Sequence, residues 1–226
     1  MSKLDLREAK RFLPTTRQEM DALGWKQCDV ILVSGDAYID SPFIGVAVVG
    51  RILEKLGYKV GIIGQPDVNS DKDIKRLGEP RLYWGVSGGS IDSMVANYTA
   101  TKKFRNSDDY TPGGKNTKRP DRAVLVYTNL IRKNFKNTVP IVLGGIEASL
   151  RRVTHYDYWT NKLRKPILFD SKADILIYGM GEQAIRDLTD ALDKGVDWKN
   201  VRGVCYIDKE PVKEYHQLPS HKECLD

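Results

Sequence analysis

Cysteine is scarce in this chain of 226 residues: Cys28, Cys205 and Cys224 lie far apart, odd in number and never as a Cys-x-x-Cys pair. That pattern argues against a disulfide framework and against a zinc or iron–sulfur site built within this chain. Histidine is as sparse, with three residues. No apolar run approaches the ~20 residues a helix needs to cross a bilayer; the most apolar stretches, 29–34 and 43–50, are short. The opening MSKLDLREAKRF lacks the apolar core of a signal peptide, so the expected location is the cytoplasm, with no membrane partner. There is no internal repeat. Charge of neither sign dominates strongly: 36 Lys+Arg against 30 Asp+Glu leaves +6, which permits a polyanionic partner without demanding one.

What is present is the composition of a globular protein, 41% hydrophobic and 29% charged. Short Val/Ile/Leu runs alternate with helical periodicity, which predicts an α/β fold: an open, mainly parallel five-stranded sheet, helices on both faces, strand order 2-1-3-4-5. The strands fall at 28–34, 59–63, 81–86, 140–143 and 173–178, with a last short strand at 204–207. Helices are expected at 43–56, 71–77, 91–98, 121–135 and 181–194, plus a short one near Arg17 capped by Thr15 or Thr16 with Glu19 completing a capping box. The first long helix should bury a stripe of Ile44, Val48, Ile52 and Leu56, widened by Ala47, Val49 and Leu53. Residues 101–120, poor in aliphatics, read as a long surface loop, functional or disordered. The chain divides into a lead-in (1–28), the α/β domain (29–208) and the start of a linker (209–226).

In such a sheet, ligands bind where strands end at their carboxyl edge. Four glycine-bearing loops leave that edge: after strand 1 (Gly35, Asp36, Asp40, Pro42, Gly45), after strand 3 (Ser87, Gly88, Gly89), after strand 4 (Gly144, Gly145, Glu147) and after strand 5 (Gly179, Gly181, Glu182). Each could be an ordinary tight turn; together they let a flat or phosphorylated group approach the backbone. Asp36, Asp40, Gly45, Ser87, Gly88, Gly144, Gly145, Arg151 and Arg152 are the candidate cofactor-binding residues, and Glu147 and His155 the candidate catalytic ones. Glu182 reads as a helix cap, while Glu147 stays open between capping and acid–base work. Residues 149–166 interleave Arg151, Arg152, Lys162, Arg164 and Lys165 with His155, Tyr156, Tyr158 and Trp159. That mixture suits first a structural or interdomain role, as a solvated basic helix packing its aromatics on the core or as a docking surface, then a phosphate or carboxylate contact, and last RNA. A flavodoxin-like cofactor site is disfavoured, because no Ser/Thr-rich phosphate loop follows strand 1.

The spacing Asp40-x-Pro42-x-x-Gly45, then Ser87, then Gly144-Gly145, resembles the cobalamin-binding domain. That family has Asp-x-His-x-x-Gly after its first strand, with the histidine on cobalt. Pro42 stands at that position here and offers no donor atom, so ligation from it is impossible; base-on binding and an empty pocket both remain open. The strings LPTTRQEMDALGW, CDVILVSGDAYIDSP, RPDRAVLVYTNLIR and GGIEASLRRVTHYDYW, spanning residues 13–208, resemble the N-terminal region of YgiQ-family radical SAM proteins. The resemblance implies a cobalamin-binding-like front domain whose partner is its own downstream radical SAM barrel. A [4Fe–4S] cluster and S-adenosylmethionine would sit in that barrel on a Cys-x-x-x-Cys-x-x-Cys loop. This chain has no such loop, so no cofactor is expected in it, and the catalytic part, with its unknown substrate, is expected beyond residue 226.

Overall fold

The computed structural model describes residues 12–211, 214 and 216–225. The start of the expected lead-in, with the terminus read for a signal peptide, lies outside the described residues, as do four positions of the expected linker. The chain runs α1 (Arg17–Ala22), β1 (Val30–Ser34), α2 (Gly45–Lys55), β2 (Val60–Gly64), α3 (Lys72–Lys75), β3 (Tyr83–Ser87), α4 (Ser93–Asn97), α5 (Ala123–Asn134) and β4 (Ile141–Gly144). It continues with α6 (Gly145–Leu150), β5 (His155–Asp157), β6 (Lys162–Arg164), α7 (Ile167–Ser171), β7 (Ile175–Ile177), α8 (Glu182–Lys194) and β8 (Val204–Tyr206). One sheet has the order β2-β1-β3-β4-β7-β8. Its first five strands are parallel, in the expected 2-1-3-4-5 order, and β8 adds a sixth, antiparallel to β7.

Strand alternation explains the layers. Ile31, Val33, Trp84, Val86 and Leu143 face α5 and α7, whereas Val30, Leu32, Tyr83, Val142 and Ile175 face α2 and α8. With both faces covered, all five residues of β1 are buried. At α1 the capping box forms as expected, Thr16 accepting from the Glu19 amide while Glu19 reaches back to the Thr16 amide.

The stripe of α2 changes in part: Ile44, Ala47 and Leu53 are buried as expected and Val46 and Gly50 join them, whereas Val48, Val49 and Ile52 are half-buried and Leu56, past the helix end, is 44% exposed. The helix begins at Gly45, later than expected, and Gly50 lets Leu13 from the lead-in pack where a Cβ would clash. Residues 101–120 form a long, mostly exposed loop without helix or strand, as expected, but it is ordered by anchors. Asp108, Thr111, Asn116 and Arg119 are buried, and two isolated bridges, Tyr98 with Phe104 and Ser107 with Lys115, fold the segment back on itself.

Candidate functional site

The carboxyl edge of the sheet opens into a groove of about 430 Å³ between the N-terminal ends of α2 and α8. Leu32, Gly85 and Val142, side by side on β1, β3 and β4, form its floor. Gly85 contributes no side chain, and the Leu32 side chain fills the space instead, its Cδ2 lying where a Cβ on Gly85 would clash. Ser34, Asp36, Ser87, Ser90 and Glu182 supply polar groups to an otherwise apolar wall. Phe43, Ile146 and Met180 stand at the rim, 88%, 44% and 90% exposed. Chains rarely leave large side chains so bare in one place without something to cover them.

Beside the groove lies a buried ionic layer. Arg119 is fully buried and paired with Asp36 at 2.9 Å and Asp108 at 3.1 Å. Asp36 also accepts the Ser90 amide at 2.6 Å, tying the loops after β1 and β3 to the 101–120 segment. Glu147, 1% exposed, accepts the Ser93 amide at 2.9 Å through Oε2 and the Val124 amide at 3.2 Å through Oε1. It therefore serves the first turns of α4 and α5, not only its own helix. The Ser93 hydroxyl receives the Ala123 amide at 3.0 Å, completing the start of α5 where Arg122 sits in the left-handed region at φ 52°. Burial first, and the neighbouring Asp92 second, hold the Glu147 carboxyl above its ordinary range. Arg151 bonds Asp92 and the Glu147 carbonyl. Gly88 and Gly89 thread this layer: a Cβ on Gly88 would strike the Glu147 carboxylate, and one on Gly89, at φ 110°, would strike Asp36.

Of the candidate residues, Asp36, Gly45, Ser87, Gly144 and Gly145 line the groove. Asp40 instead holds Arg51 of α2 in a two-point pair at 3.1 and 2.6 Å. Gly88, Glu147 and Arg151 belong to the ionic layer. Arg152 is exposed, donating to the Ser149 carbonyl at 2.7 Å with its guanidinium 4.9 Å over the Tyr178 ring. His155 starts β5, away from the groove, its Nδ1 3.1 Å from the Val153 carbonyl and its pKa pushed down by burial. The basic-aromatic run 149–166 is not one helix: α6 ends at Leu150 and β5–β6 form an antiparallel hairpin. Arg119, Asp108 and Asp92 were missed. The Ser-Ile-Asp-Ser string marks Asp92 as a helix cap, and its carboxylate does accept the Met94 amide at 2.9 Å. Nothing local to Lys-Arg-Pro marks Arg119 as buried.

Cys28 is buried, its thiol pushed up to about 12 by desolvation, and Cys205 and Cys224 are not beside it in sequence or sheet position. No group of three or more His, Cys, Asp or Glu suited to a metal ion occurs among the described residues. These residues do not fit a [4Fe–4S] cluster, which needs clustered thiolates. The groove wall carries no His or Cys, and Pro42 lines it, so a protein-derived histidine ligand to cobalt does not fit either. No helix among the described residues is long and apolar enough to cross a membrane.

Known proteins share this fold and sequence. A UPF0313 protein of Fusobacterium nucleatum is 63% identical over 216 residues, 95% of this chain and 38% of that protein. One from Thermotoga neapolitana is 58% identical, covering 94% of this chain and 38% of the relative. One from Shewanella oneidensis is 50% identical, covering 93% and 27%. This chain thus spans less than two fifths of the length of these relatives. Among solved structures, the radical S-adenosylmethionine methyltransferase TsrM from Kitasatospora setae, with cobalamin and a [4Fe–4S] cluster bound, shares the fold at a TM-score of 0.53 and 16% identity. The match covers 80% of this chain and 29% of TsrM. The family described as radical SAM N-terminal matches residues 12–226, and with these relatives it places the chain: it belongs to the radical SAM N-terminal family of UPF0313 proteins, the YgiQ-type group its motifs resemble.

Proposed function

We propose that this domain is the accessory front part of a radical SAM enzyme and that its groove edge faces a catalytic barrel in the rest of the protein, shaping access of substrate or cofactor. The observation that carries this reading is the bare apolar rim of Phe43, Ile146 and Met180 around an apolar groove at the edge where parallel sheets receive ligands. Relatives extend well beyond the matched region, which supports a covering partner within the same polypeptide. In this reading the [4Fe–4S] cluster and S-adenosylmethionine belong to the barrel. Arg152, exposed and stacked on Tyr178, offers a planar fork to a carboxylate or phosphate arriving from that side. The reading places the protein in the cytoplasm, where unpaired thiols such as Cys28, Cys205 and Cys224 persist.

The test uses the full-length protein. Phe43→Asp with Met180→Asp should leave cluster absorbance near normal and lower turnover of S-adenosylmethionine by roughly tenfold or more, since about 1.4 kcal/mol of lost positioning corresponds to tenfold. Unchanged turnover with both charges in place would overturn the assignment.

A further inference from the structure

The hairpin β5–β6 and the loop after α4 lie far apart in sequence but meet in space. Four rings run in contact across the junction. Phe104 stands edge-on to Tyr98 with centroids 5.6 Å apart, Tyr98 tilts against Trp159 at 5.1 Å, and Trp159 stands edge-on to Tyr158 at 5.5 Å. The Tyr158 hydroxyl donates to the Ala100 carbonyl at 2.8 Å, fixing hairpin to loop. Phe104 and Tyr158 remain 53% and 48% exposed, and Tyr156 on the same hairpin 57%.

Cations surround these rings. Lys102 lies 4.6 Å over the Tyr158 ring, and Lys103 and Arg105 are exposed beside it in the chain. The Arg105 Nε donates to the Tyr98 carbonyl at 3.0 Å and the Val95 carbonyl at 3.3 Å, which holds the guanidinium in one place. Lys162 and Lys165 are exposed on and just after β6. Three of the acids in these segments are engaged: Asp157 is buried against Arg122 at 2.9 Å, Asp170 pairs with Arg164 at 3.0 Å, and Asp121 accepts from Tyr98 at 2.8 Å, while Asp109 is exposed in the same loop.

We propose that this surface binds single-stranded nucleic acid, with phosphates on Lys102, Lys103 and Arg105 and bases against the exposed rings of Phe104 and Tyr158, Lys102 moving off the Tyr158 ring to meet a phosphate. Exposed rings among cations match a ligand that alternates flat bases with phosphates. A duplex hides its base faces, and a purely acidic protein would leave the rings unused. Both contributing segments belong to the crossovers after β3 and β4, whose strands also end at the groove. The surface is distinct from the groove and does not depend on the function proposed for it.

The test is fluorescence anisotropy with full-length protein and labelled oligouridylate or oligothymidylate of about twelve nucleotides, a length within the range of one such site. Affinity should fall with salt, and Lys102→Ala with Lys103→Ala should reduce the log–log slope by about 1.4, at about 0.7 per phosphate contact. Phe104→Ala and Tyr158→Ala should each weaken binding about tenfold with little change of slope, while Tyr158→Phe retains it. Thermal melting of each variant checks that the fold is kept. The proposal is overturned if full-length protein fails to bind either oligonucleotide at low salt. It is equally overturned if the ring variants bind like wild type and polyglutamate displaces the oligonucleotide as well as unlabelled RNA does, which would describe a cationic face without base contacts.

Discussion

Beneath the Gly88–Gly89 turn, charged side chains are buried and paired: Arg119 with Asp36 and Asp108, and Arg151 with Asp92 beside Glu147. In the groove a few residues away, apolar side chains stand in solvent: Phe43 at 88% and Met180 at 90%. The two regions share Asp36, Ser87 and Ser90, so one is the foundation of the other. Burying charge is expensive unless every partner is present, which makes the ionic layer a device for fixing loop positions more than a source of net stability. Exposed apolar groups contribute little to folding, so their placement at a ligand edge points to what they meet. The first region should answer to stability measurements and the second to function.

Variants can break that division. The largest effect is expected for Arg119→Ala, which leaves two buried carboxylates without a cation and should cost about 3–5 kcal/mol in denaturant unfolding. A loss below about 1 kcal/mol would show the layer to be hydrated and loosely held. Next come adjacent arginines with opposite roles. Arg151→Ala should destabilise by about 3 kcal/mol, because the buried Asp92 loses its counter-charge, whereas Arg152→Ala should change stability by about 0.5 kcal/mol or less. Equal losses would erase the distinction between layer and edge.

Glu147→Ala should cost about 2 kcal/mol by stranding the Ser93 and Val124 amides. Its pH signature is opposite to that of an ordinary surface carboxylate. The folded protein holds the Glu147 proton more tightly than the unfolded chain, so this residue's contribution weakens as pH rises from the unfolded carboxylate range toward the raised folded value. Subtracting the stability–pH profile of Glu147→Gln, which keeps the shape without the charge, should remove that fall; parallel profiles would show that Glu147 is not the source. The smallest stability effect is expected for Phe43→Ser and Met180→Ser, within about 0.5 kcal/mol, and a larger loss would mean the rim packs against this domain.

The architecture was readable because continuous apolar runs mark strands covered on both faces, and the glycine loops mark where those strands end. That is why β1, β2, β3, β4 and β7, and five of the groove residues, fall where the pattern places them. The ionic layer was not readable. Asp36 and Arg119 are separated by 83 positions, and only the folding back of 101–120 brings them together. Nor does a charged residue before Pro120 announce its burial, since the usual expectation is exposure. The hairpin β5–β6 escaped for a related reason. Each strand is three residues long, too short for alternation to stand out, and its aromatics read equally well as one face of a helix.

Oxidative footprinting at Met180 tests the central claim most directly, because a thioether 90% exposed in this chain has nothing here to shield it. The sulfoxide formation rate would be measured by mass spectrometry in the 226-residue chain and in the full-length protein under the same peroxide exposure. Protection of Met180 in the full-length protein by about tenfold, equivalent to ~1.4 kcal/mol of covering contact, with Met94 slow in both, is the predicted result. Equal oxidation of Met180 in the two proteins would contradict the account, because the groove edge would then face solvent and not a covering part of the longer protein.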